Sequence, residues 1–396
     1  MKFIEAIPQF VDNFSCIADK CENHCCHGWN INIDKPTYKF MVHKSTFKGR
    51  SKKWIERIPN QSASSAYARI KLNDQGVCPF RDQQGLCEVH KHHGHACLSD
   101  TCKIYPRLTF TRGNRVEQLL SLSCPEAARQ ILFNPEAMLC REQEIESDFA
   151  AKSYERPFYY DVLRQLYIDI LLIDSVSMEA RLFILGMTLK LLEARKDDRD
   201  EFEKCYQVCI EQITNGDFLS TYNQSITAES FHPGFLIRAF NAHLYIGVKS
   251  QYSSVIEQLK KIHNNLLAAL EPAGDDVQQQ VDILQQGFNG HYSSFIAEYP
   301  QLWINYFLYG MHFYDFPKDD WYQAYSNLVI DFVIIRGILM AIASQRELTH
   351  QDVIDVVHIF HRARSHGIHL SGSIKNIIEN GLQVDEKVLP LMLLKI

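Results

Sequence analysis

The chain has 396 residues, of which 46% are hydrophobic and 22% are charged, and its formal net charge is -6 at pH 7. A chain of this length can bury an ample core without covalent cross-links, and its charge does not suggest a nucleic-acid partner. The N-terminus lacks the apolar segment of a secretory signal peptide, so we expect a cytoplasmic protein. The most apolar stretch, Leu328 to Ala343, contains Asp331 and Arg336, whose charges are costly in hydrocarbon. It predicts a buried helix and no membrane partner.

The first 150 residues predict a loop-rich, cysteine-rich metal module. Short segments alternate there with Gly, Pro, Asn and Cys, which mark turns. Ala68 to Leu72 predicts a short strand, and Leu108 to Ser123 predicts a hairpin around Arg112-Gly113-Asn114. The polar, acidic stretch from Arg141 to Glu155 is predicted to be the joint to the rest of the chain.

Residues 151–396 predict an all-α domain of about eight or nine helices, because apolar residues recur there at helical spacing. Thr349 to Asp352 resembles a capping box at one helix start. The predicted fold class is therefore mainly α, with a cysteine-cluster module and short hairpin followed by an all-helical domain. The predicted helices are Phe158–Ile173, Met178–Leu192, Phe202–Ile213, Val255–Leu270, Val277–Phe288, Tyr292–Tyr309, Trp321–Ser344, Asp352–Ser365 and Ser373–Asn380.

Cysteine is the most informative residue type, since nine of the 12 cysteines fall between Cys16 and Cys124. Thiols this dense usually hold a metal or form disulfides. The length of the chain and the lack of a secretory segment favour the metal. Cys25 and Cys26 are adjacent, which indicates two sites, or one ligand beside one structural thiol. No CxxC pair is present, which favours an iron-sulfur cluster over a zinc ribbon, although four cysteines suit both.

The remaining cysteines differ in the local structure predicted around them. Cys78 and Cys87 flank a predicted turn at Asp82 to Gly85, which would bring their thiols together. Cys124 precedes Pro125 at a predicted helix start, where amide groups favour a thiolate. Three cysteines outside the dense region are interpreted as buried, inert thiols: Cys140, Cys205 and Cys209.

Histidines and aromatic residues form other groups that we interpret structurally. His90 to His95 is interpreted as a solvated loop. Trp303 to Tyr314 is dense in aromatics and suits a helical core, or else a pocket for an adenine, a sulfonium or a lysine stem. His358 and His361 lie one helical turn apart, and without a third ligand we interpret them as surface residues.

Several cysteine-containing segments together carry a family pattern. They are Phe14-Ser15-Cys16, Cys21, Cys25-Cys26-His27-Gly28-Trp29-Asn30-Ile31, Cys78, Leu86-Cys87, Leu98-Ser99-Asp100-Thr101-Cys102-Lys103-Ile104-Tyr105-Pro106-Arg107 and Leu120-Ser121-Leu122-Ser123-Cys124-Pro125-Glu126-Ala127-Ala128. This pattern resembles bacterial flagellin lysine-N-methylases. Those enzymes share it with zinc- or iron-chelating cysteine-rich domains.

The resemblance implies an enzyme that transfers methyl groups from S-adenosylmethionine to lysine side chains of flagellin. It also implies a cysteine-bound iron-sulfur cluster of the 4Fe-4S type, with zinc as the alternative. Cys97 is an extra cysteine, and which four cysteines bind the cluster is left open. The metal ligands implied by the resemblance are Cys16, Cys21, Cys25, Cys26, Cys78, Cys87, Cys102 and Cys124.

The catalytic and cofactor-binding residues are not assigned by these motifs. Methylation requires the neutral lysine amine, and direct displacement at a sulfonium requires alignment and exclusion of water. The radical signature CxxxCxxC is absent, so polar transfer with a structural cluster is favoured. No glycine-rich loop follows a strand, so the S-adenosylmethionine pocket cannot be placed. A non-enzymatic iron- or zinc-chelating protein and a redox sensor are the alternatives, although a small domain suffices for chelation.

Overall fold

The computed structural model describes residues 2–27, 31–59, 66–146, 156–225, 253–318 and 320–366. Within these ranges the chain is mainly helical, as predicted, with two small β-sheets in its N-terminal part. The predicted helix Ser373–Asn380 and residues 147–155 of the predicted joint lie outside the described residues. The strands are β1 Lys2–Pro8, β2 Asn32–Ile33, β3 Ile55–Arg57, β4 Ala68–Ile70, β5 Arg107–Arg112, β6 Arg115–Leu120 and β7 Cys140–Glu146.

The larger sheet has four strands in the order β5-β6-β1-β7. Strand β1 runs parallel to β6 and antiparallel to β7. Strands β5 and β6 form the predicted hairpin, and Gly113 in its turn has a φ of +63°, a conformation that favours glycine. The prediction of a joint was wrong for Arg141 to Glu146, because these residues pair with β1 along its whole length.

The smaller sheet is antiparallel, with the order β2-β4-β3. Strand β4 confirms the short strand predicted from Ala68, although it ends at Ile70. Around this sheet lies a separate small hydrophobic core. Its buried members are Ile31, Ile33, Met41, Ile55, Ala68, Cys78, Phe80, Val89 and Leu98.

Sixteen α-helices fall within the described ranges. The first six are α1 Gln9–Asp12, α2 Lys35–Lys39, α3 Lys48–Trp54, α4 Glu88–His93, α5 Asp100–Ile104 and α6 Pro125–Phe133. The others are α7 Tyr160–Leu171, α8 Met178–Glu193, α9 Arg199–Thr214, α10 Asp217–Ser225, α11 Ser253–Leu270, α12 Val277–Gly287, α13 Ser293–Glu298, α14 Gln301–Phe313, α15 Trp321–Ala343 and α16 His350–His366.

The helix boundaries follow local capping chemistry. At the predicted capping box, the Thr349 amide donates to Asp352 Oδ2 at 2.9 Å and the Asp352 amide donates to Thr349 Oγ1 at 3.2 Å. The predicted helix Tyr292–Tyr309 was wrong as one element, since α13 ends at Glu298 and α14 begins at Gln301. Pro300 lies between them and has no amide hydrogen to continue the helix.

The main hydrophobic core surrounds α15. Among the described residues, α15 is the one helix long and apolar enough to span a membrane, and 94% of its most apolar window is buried inside the protein. Its charges are paired, with Arg336 Nη1 at 2.8 Å from Glu179 Oε1 and Asp331 bound to Arg364. The helix is therefore the buried core helix that the sequence predicted.

The same core includes residues from both sides of position 150. Leu119 of β6 and Ile131 of α6 are buried with Leu163 of α7, and α6 packs against α14 and α16. The division of the chain into residues 1–150 and 151–396 stays a prediction.

Candidate functional site

All nine N-terminal cysteines line a single cavity of about 450 Å³. The cavity lies between the small core and the start of α6, and its wall includes Phe14, Tyr105 and Pro125. All 12 cysteines of the chain fall within the described ranges, and all are free thiols. The structure therefore brings together the eight cysteines named as ligands, and Cys97 with them. Their role as ligands stays a prediction.

The first cysteine group lies on a loop that is tied to the second group. A 3₁₀ turn at Ala18–Lys20 precedes Cys21, whose thiol donates to the Asn23 carbonyl at 3.4 Å. The Cys78 amide donates to the Cys26 carbonyl at 2.7 Å. This backbone hydrogen bond holds Cys26 against the small core, although Cys78 lies 52 positions further along the sequence.

The predicted turn between Cys78 and Cys87 is confirmed. Asp82 Oδ1 accepts hydrogen bonds from the amides of Gln84 and Leu86, both at 2.9 Å, as expected of an Asx-type turn. Gly85 completes this turn with a φ of +84°. A β-bridge pairs Arg81 with Cys87.

The last two predicted ligands lie at helix starts. Cys102 is on α5, where its amide donates to Ser99 Oγ at 3.3 Å. Cys124 is the N-cap of α6 and precedes Pro125 at the first turn, as predicted.

Burial decides the protonation of most of these thiols. It raises the pKa of Cys102 to about 12, and also that of Cys78. At Cys124 the amides of Ala127 and Glu126 act in favour of the thiolate, as predicted, but burial outweighs them and raises the pKa to about 12. A metal bound here would have to displace thiol protons, which makes binding dependent on pH.

Cys25 differs from the other thiols and lies centrally among them. A hydrogen bond from the Cys26 thiol lowers the pKa of Cys25 to about 7, and the charge of Arg362 acts in the same direction. In turn, charge on Cys25 adds to the effect of burial in raising the pKa of thiols from both groups. These are Cys21, Cys78, Cys87, Cys102 and Cys124.

No three His, Cys, Asp or Glu side chains in the described part of the chain converge tightly enough to hold one metal ion. Two histidines near the cavity are kept neutral. Burial lowers the pKa of His24, and burial together with Arg362 lowers the pKa of His27 to about 4. Neutral imidazoles are metal ligands and proton acceptors.

Three other sequence interpretations change with the structure. His90 and His93 are on helix α4, so the loop interpretation was wrong there, although His90 is exposed. His358 is 1% exposed, so it is not a surface residue. His361 is half-buried, and its Nε2 lies 3.1 Å from the hydroxyl of the buried Tyr306.

The outlying cysteines and the aromatic segment are also located. Cys209 is buried as predicted, Cys205 is half-buried, and Cys140 is exposed on the edge strand β7, against the prediction. Trp303 and Tyr306 on α14 are buried in the main core, which confirms the core interpretation of the aromatic segment.

The sequence did not predict the helical residues that bind the cysteine loop at Asn23. Arg362 of α16 and Gln258 of α11 both bind Asn23. No motif could have identified them, because their partner lies more than 200 residues away and a lone Arg or Gln on a helix carries no spacing signal.

Comparison with known proteins decides the family. Residues 164–391 match the family model described as the FliB lysine N-methylase C-terminal domain, which is more than half of the chain. The chain belongs to the FliB lysine N-methylase family. It is accordingly an enzyme of lysine methylation, and the predicted methyltransferase class is confirmed.

Relatives of this FliB-family methylase extend over nearly its whole length. The lysine-N-methylases of Salmonella choleraesuis and Salmonella typhimurium are each 26% identical to it over 381 residues, which is 94% of both chains. The flagellar biosynthetic protein FliU of Salmonella muenchen is 38% identical over 138 residues, or 35% of this chain and 82% of the relative. No solved structure matches the chain.

Proposed function

We propose that this FliB-family enzyme transfers methyl groups from S-adenosylmethionine to lysine side chains of flagellin, in the cytoplasm before the subunits are exported. The family match supports lysine methylation. The name of one relative, a flagellar biosynthetic protein, supports the flagellar substrate. The observation that carries the proposal is the match to lysine N-methylases over 94% of the chain.

We further propose that the cysteine-lined cavity holds an iron-sulfur cluster. Cysteine thiolates are the ligands of such clusters, and the cavity gathers nine thiols that are not paired in disulfides. Each thiolate of a cluster binds a different iron, so the thiols need not converge on one point as they must for a single zinc ion. The eight cysteines of the family pattern are the candidate ligands, and Cys97 is the ninth thiol.

When bound, the cluster would supply a covalent cross-link between loop segments that are otherwise held by few strands and short helices. The sequence favours this structural role, with direct displacement of the methyl group as the chemistry. Loop-rich modules of this kind often depend on a metal for folding. The chain's own residues then have to bind the lysine, exclude water and remove its proton.

The methylation assay tests the enzymatic proposal. Anaerobically purified protein is incubated with S-adenosylmethionine and flagellin, and the intact mass of flagellin is measured. We expect increases in steps of one methyl group, mapped by peptide analysis to lysines. Flagellin whose lysines have been chemically acetylated is the control. No mass increase with cluster-loaded enzyme would contradict the proposal.

Metal analysis tests the cluster proposal separately. Wild-type protein should contain about four irons and four sulfides per chain if one 4Fe-4S cluster is bound. Cys102→Ser should lose iron, whereas Cys140→Ser, which changes an exposed thiol outside the cavity, should retain it. Colourless wild-type protein that contains zinc alone would reject the iron-sulfur assignment.

A further inference from the structure

Arg362, near the C-terminal end of the described residues, binds the cysteine loop, which consists of residues Asn23 to His27. Arg362 of α16 is 2% exposed. Its Nη1 donates to Asn23 Oδ1 at 2.7 Å, and its Nη2 donates to the His24 carbonyl at 3.2 Å and to the His27 carbonyl. One guanidinium thus binds three acceptors within a five-residue segment that also contains Cys25 and Cys26. Planar, forked donors of this kind hold their partners in a defined geometry.

A second helix holds the same segment. Asn23 Nδ2 donates to Gln258 Oε1 of α11 at 2.8 Å, and Gln258 Nε2 donates back to Asn23 Oδ1 at 3.3 Å. Asn23 is 9% exposed, so its amide is satisfied inside the protein. The shape of the thiol loop therefore depends on two helices of the main core, although none of its own residues between Asn23 and His27 belongs to a helix.

The charge of Arg362 requires compensation because burying an ion without a counter-charge is costly. Among the described residues, no carboxylate lies within ion-pair distance of its guanidinium. Its guanidinium instead binds the backbone on both sides of Cys25 and Cys26. These two cysteines are candidate metal ligands, and a cysteine binds metal as the thiolate, so the counter-charge expected for Arg362 is a set of ligated thiolates.

We propose that Arg362 is a positioning residue, which fixes the Asn23–His27 loop so that its thiols face the cavity, and which supplies the fixed positive charge that balances them. The first part stands on the hydrogen bonds alone. The second part rests on the proposed iron-sulfur site, since the charge balance concerns ligated thiolates.

Two substitutions separate the geometric role from the electrostatic one. Arg362→Gln removes the charge and most of the donors, whereas Arg362→Lys keeps the charge and loses the fork. In the full-length protein, amide hydrogen exchange of residues 21–27 should become about tenfold faster in both variants, the change expected for losing a charge-assisted hydrogen bond. The reduction potential of the loaded protein should shift to more negative values in Arg362→Gln only, since positive charge nearby favours the reduced cluster.

Two controls keep the experiment interpretable. Arg346→Gln changes an exposed arginine that precedes α16 and pairs with Asp352 in the first turn of that helix. It should alter neither the exchange rate nor the reduction potential. Gln258→Leu loosens Asn23 without removing charge, so it should speed exchange and leave the potential unchanged. This second variant also serves if the Arg362 variants do not fold.

The outcomes distinguish failure of this proposal from failure of the proposed cluster. If wild-type protein binds no iron, the cluster proposal fails, while the exchange measurement on iron-free protein still tests Arg362. If residues 21–27 exchange at the wild-type rate in Arg362→Gln and in Gln258→Leu, the positioning role is rejected. An unchanged potential in cluster-loaded Arg362→Gln rejects the electrostatic role.

Discussion

Gly85 lies in the wall of the cysteine cavity at a position that does not accommodate a side chain. Its φ is +84°, and a Cβ atom placed there would lie 2.7 Å from His24 Cε1 and 3.1 Å from Arg81 Nη2. Because Gly85 has no side chain, the turn between Cys78 and Cys87 can close. For the same reason the ring of His24 can pack against the backbone of Gly85.

We expect Gly85→Ala to destabilise the protein by roughly 2–4 kcal/mol, because backbone strain of about 1–3 kcal/mol adds to the displacement of His24 from the cavity wall. Urea unfolding measures the change. Gly216→Ala is the matched control, since Gly216 has a φ of +79° but no atom within 4 Å of the position that a Cβ would take. It should lose only the strain contribution, and equal losses in the two variants would show that the contact with His24 is unimportant.

For individual residues, the sequence predicted which cysteines would lie together, but it did not predict which side chains fix the cysteine loop in place. Density and spacing identify thiols because cysteine is rare and its chemistry needs neighbours. Arg362 has no such signal, and the spacing of His358 from His361 was interpreted as that of two surface residues. Arginine and histidine on a helix are usually exposed, and only the packing of α16 against α6 and α15 makes these two buried.

Among the elements, the β5-β6 hairpin is attached to the helical part of the chain by a buried ionic network. Arg112 binds Glu117, lies 3.0 Å from Asp315 Oδ1 through its Nε, and donates to the His312 carbonyl at 2.7 Å. Arg164 Nη2 of α7 lies 2.9 Å from His312 Nδ1. The network joins β5, β6, α7 and the end of α14.

Glu117 makes this attachment dependent on pH. Burial opposes its ionisation, but the contact with His312 and the charges of Arg112 and Arg164 prevail and lower the pKa of Glu117 from 4.5 to about 2. A lowered carboxyl pKa stabilises the fold above pH 4.5, and this contribution is lost as the pH falls toward about 2. We expect wild-type protein to lose roughly 3 kcal/mol across this range from this group.

Glu117→Gln should be less stable than wild type at neutral pH, and the difference should shrink as the pH falls below 4.5. Urea unfolding at several pH values between 7 and 3 measures it. Glu144→Gln is the control, because Glu144 is 76% exposed in its ion pair with Lys2 and such pairs contribute little. A constant difference between wild type and Glu117→Gln at all pH values would contradict the assignment.

Elements were predictable from sequence where they have their own periodic pattern. The helices α7, α11 and α12 and the hairpin followed from spacing and turn residues. Strand β7 could not be predicted in this way, because polar side chains lie on both of its faces and most of its residues are exposed. Its conformation comes from pairing with β1, which is a property of the tertiary structure rather than of residues 140–146.

In the whole molecule, the main core draws on both the N-terminal and the C-terminal parts of the chain. Ala127, Ala128 and Ile131 of α6 are each fully buried, and Asn305 Nδ2 of α14 donates to the carbonyls of Ile131 and Asn134, both at 2.9 Å. The spacing of apolar residues could not predict that α6 packs against α14. A helix has the same apolar pattern whether it packs against its own N-terminal module or against a distant part of the chain.

We therefore expect a fragment of residues 1–146 to lack cooperative folding, since α6 and β6 would expose apolar faces that the helices normally cover. Thermal unfolding and size-exclusion chromatography measure this. The same fragment co-produced with residues 156–396 should form a stable complex, which is the control for damage by the cut itself. Sharp unfolding of the isolated, monomeric fragment would show instead that residues 1–146 are an independent domain.

The bond between Arg362 and the cysteine loop also sets an order of events during synthesis. Arg362 follows Asn23 by 339 residues, which corresponds to about 20–70 s of translation at typical rates of 5–20 residues per second. Once Cys124 has been made, the nascent chain carries all nine N-terminal thiols, and Arg362 still lies 238 residues further along the sequence. During that part of the interval the helix that shapes their loop has not been completed. We expect metal loading to follow release of the chain from the ribosome, and the unprotected thiols to be most open to oxidation before it.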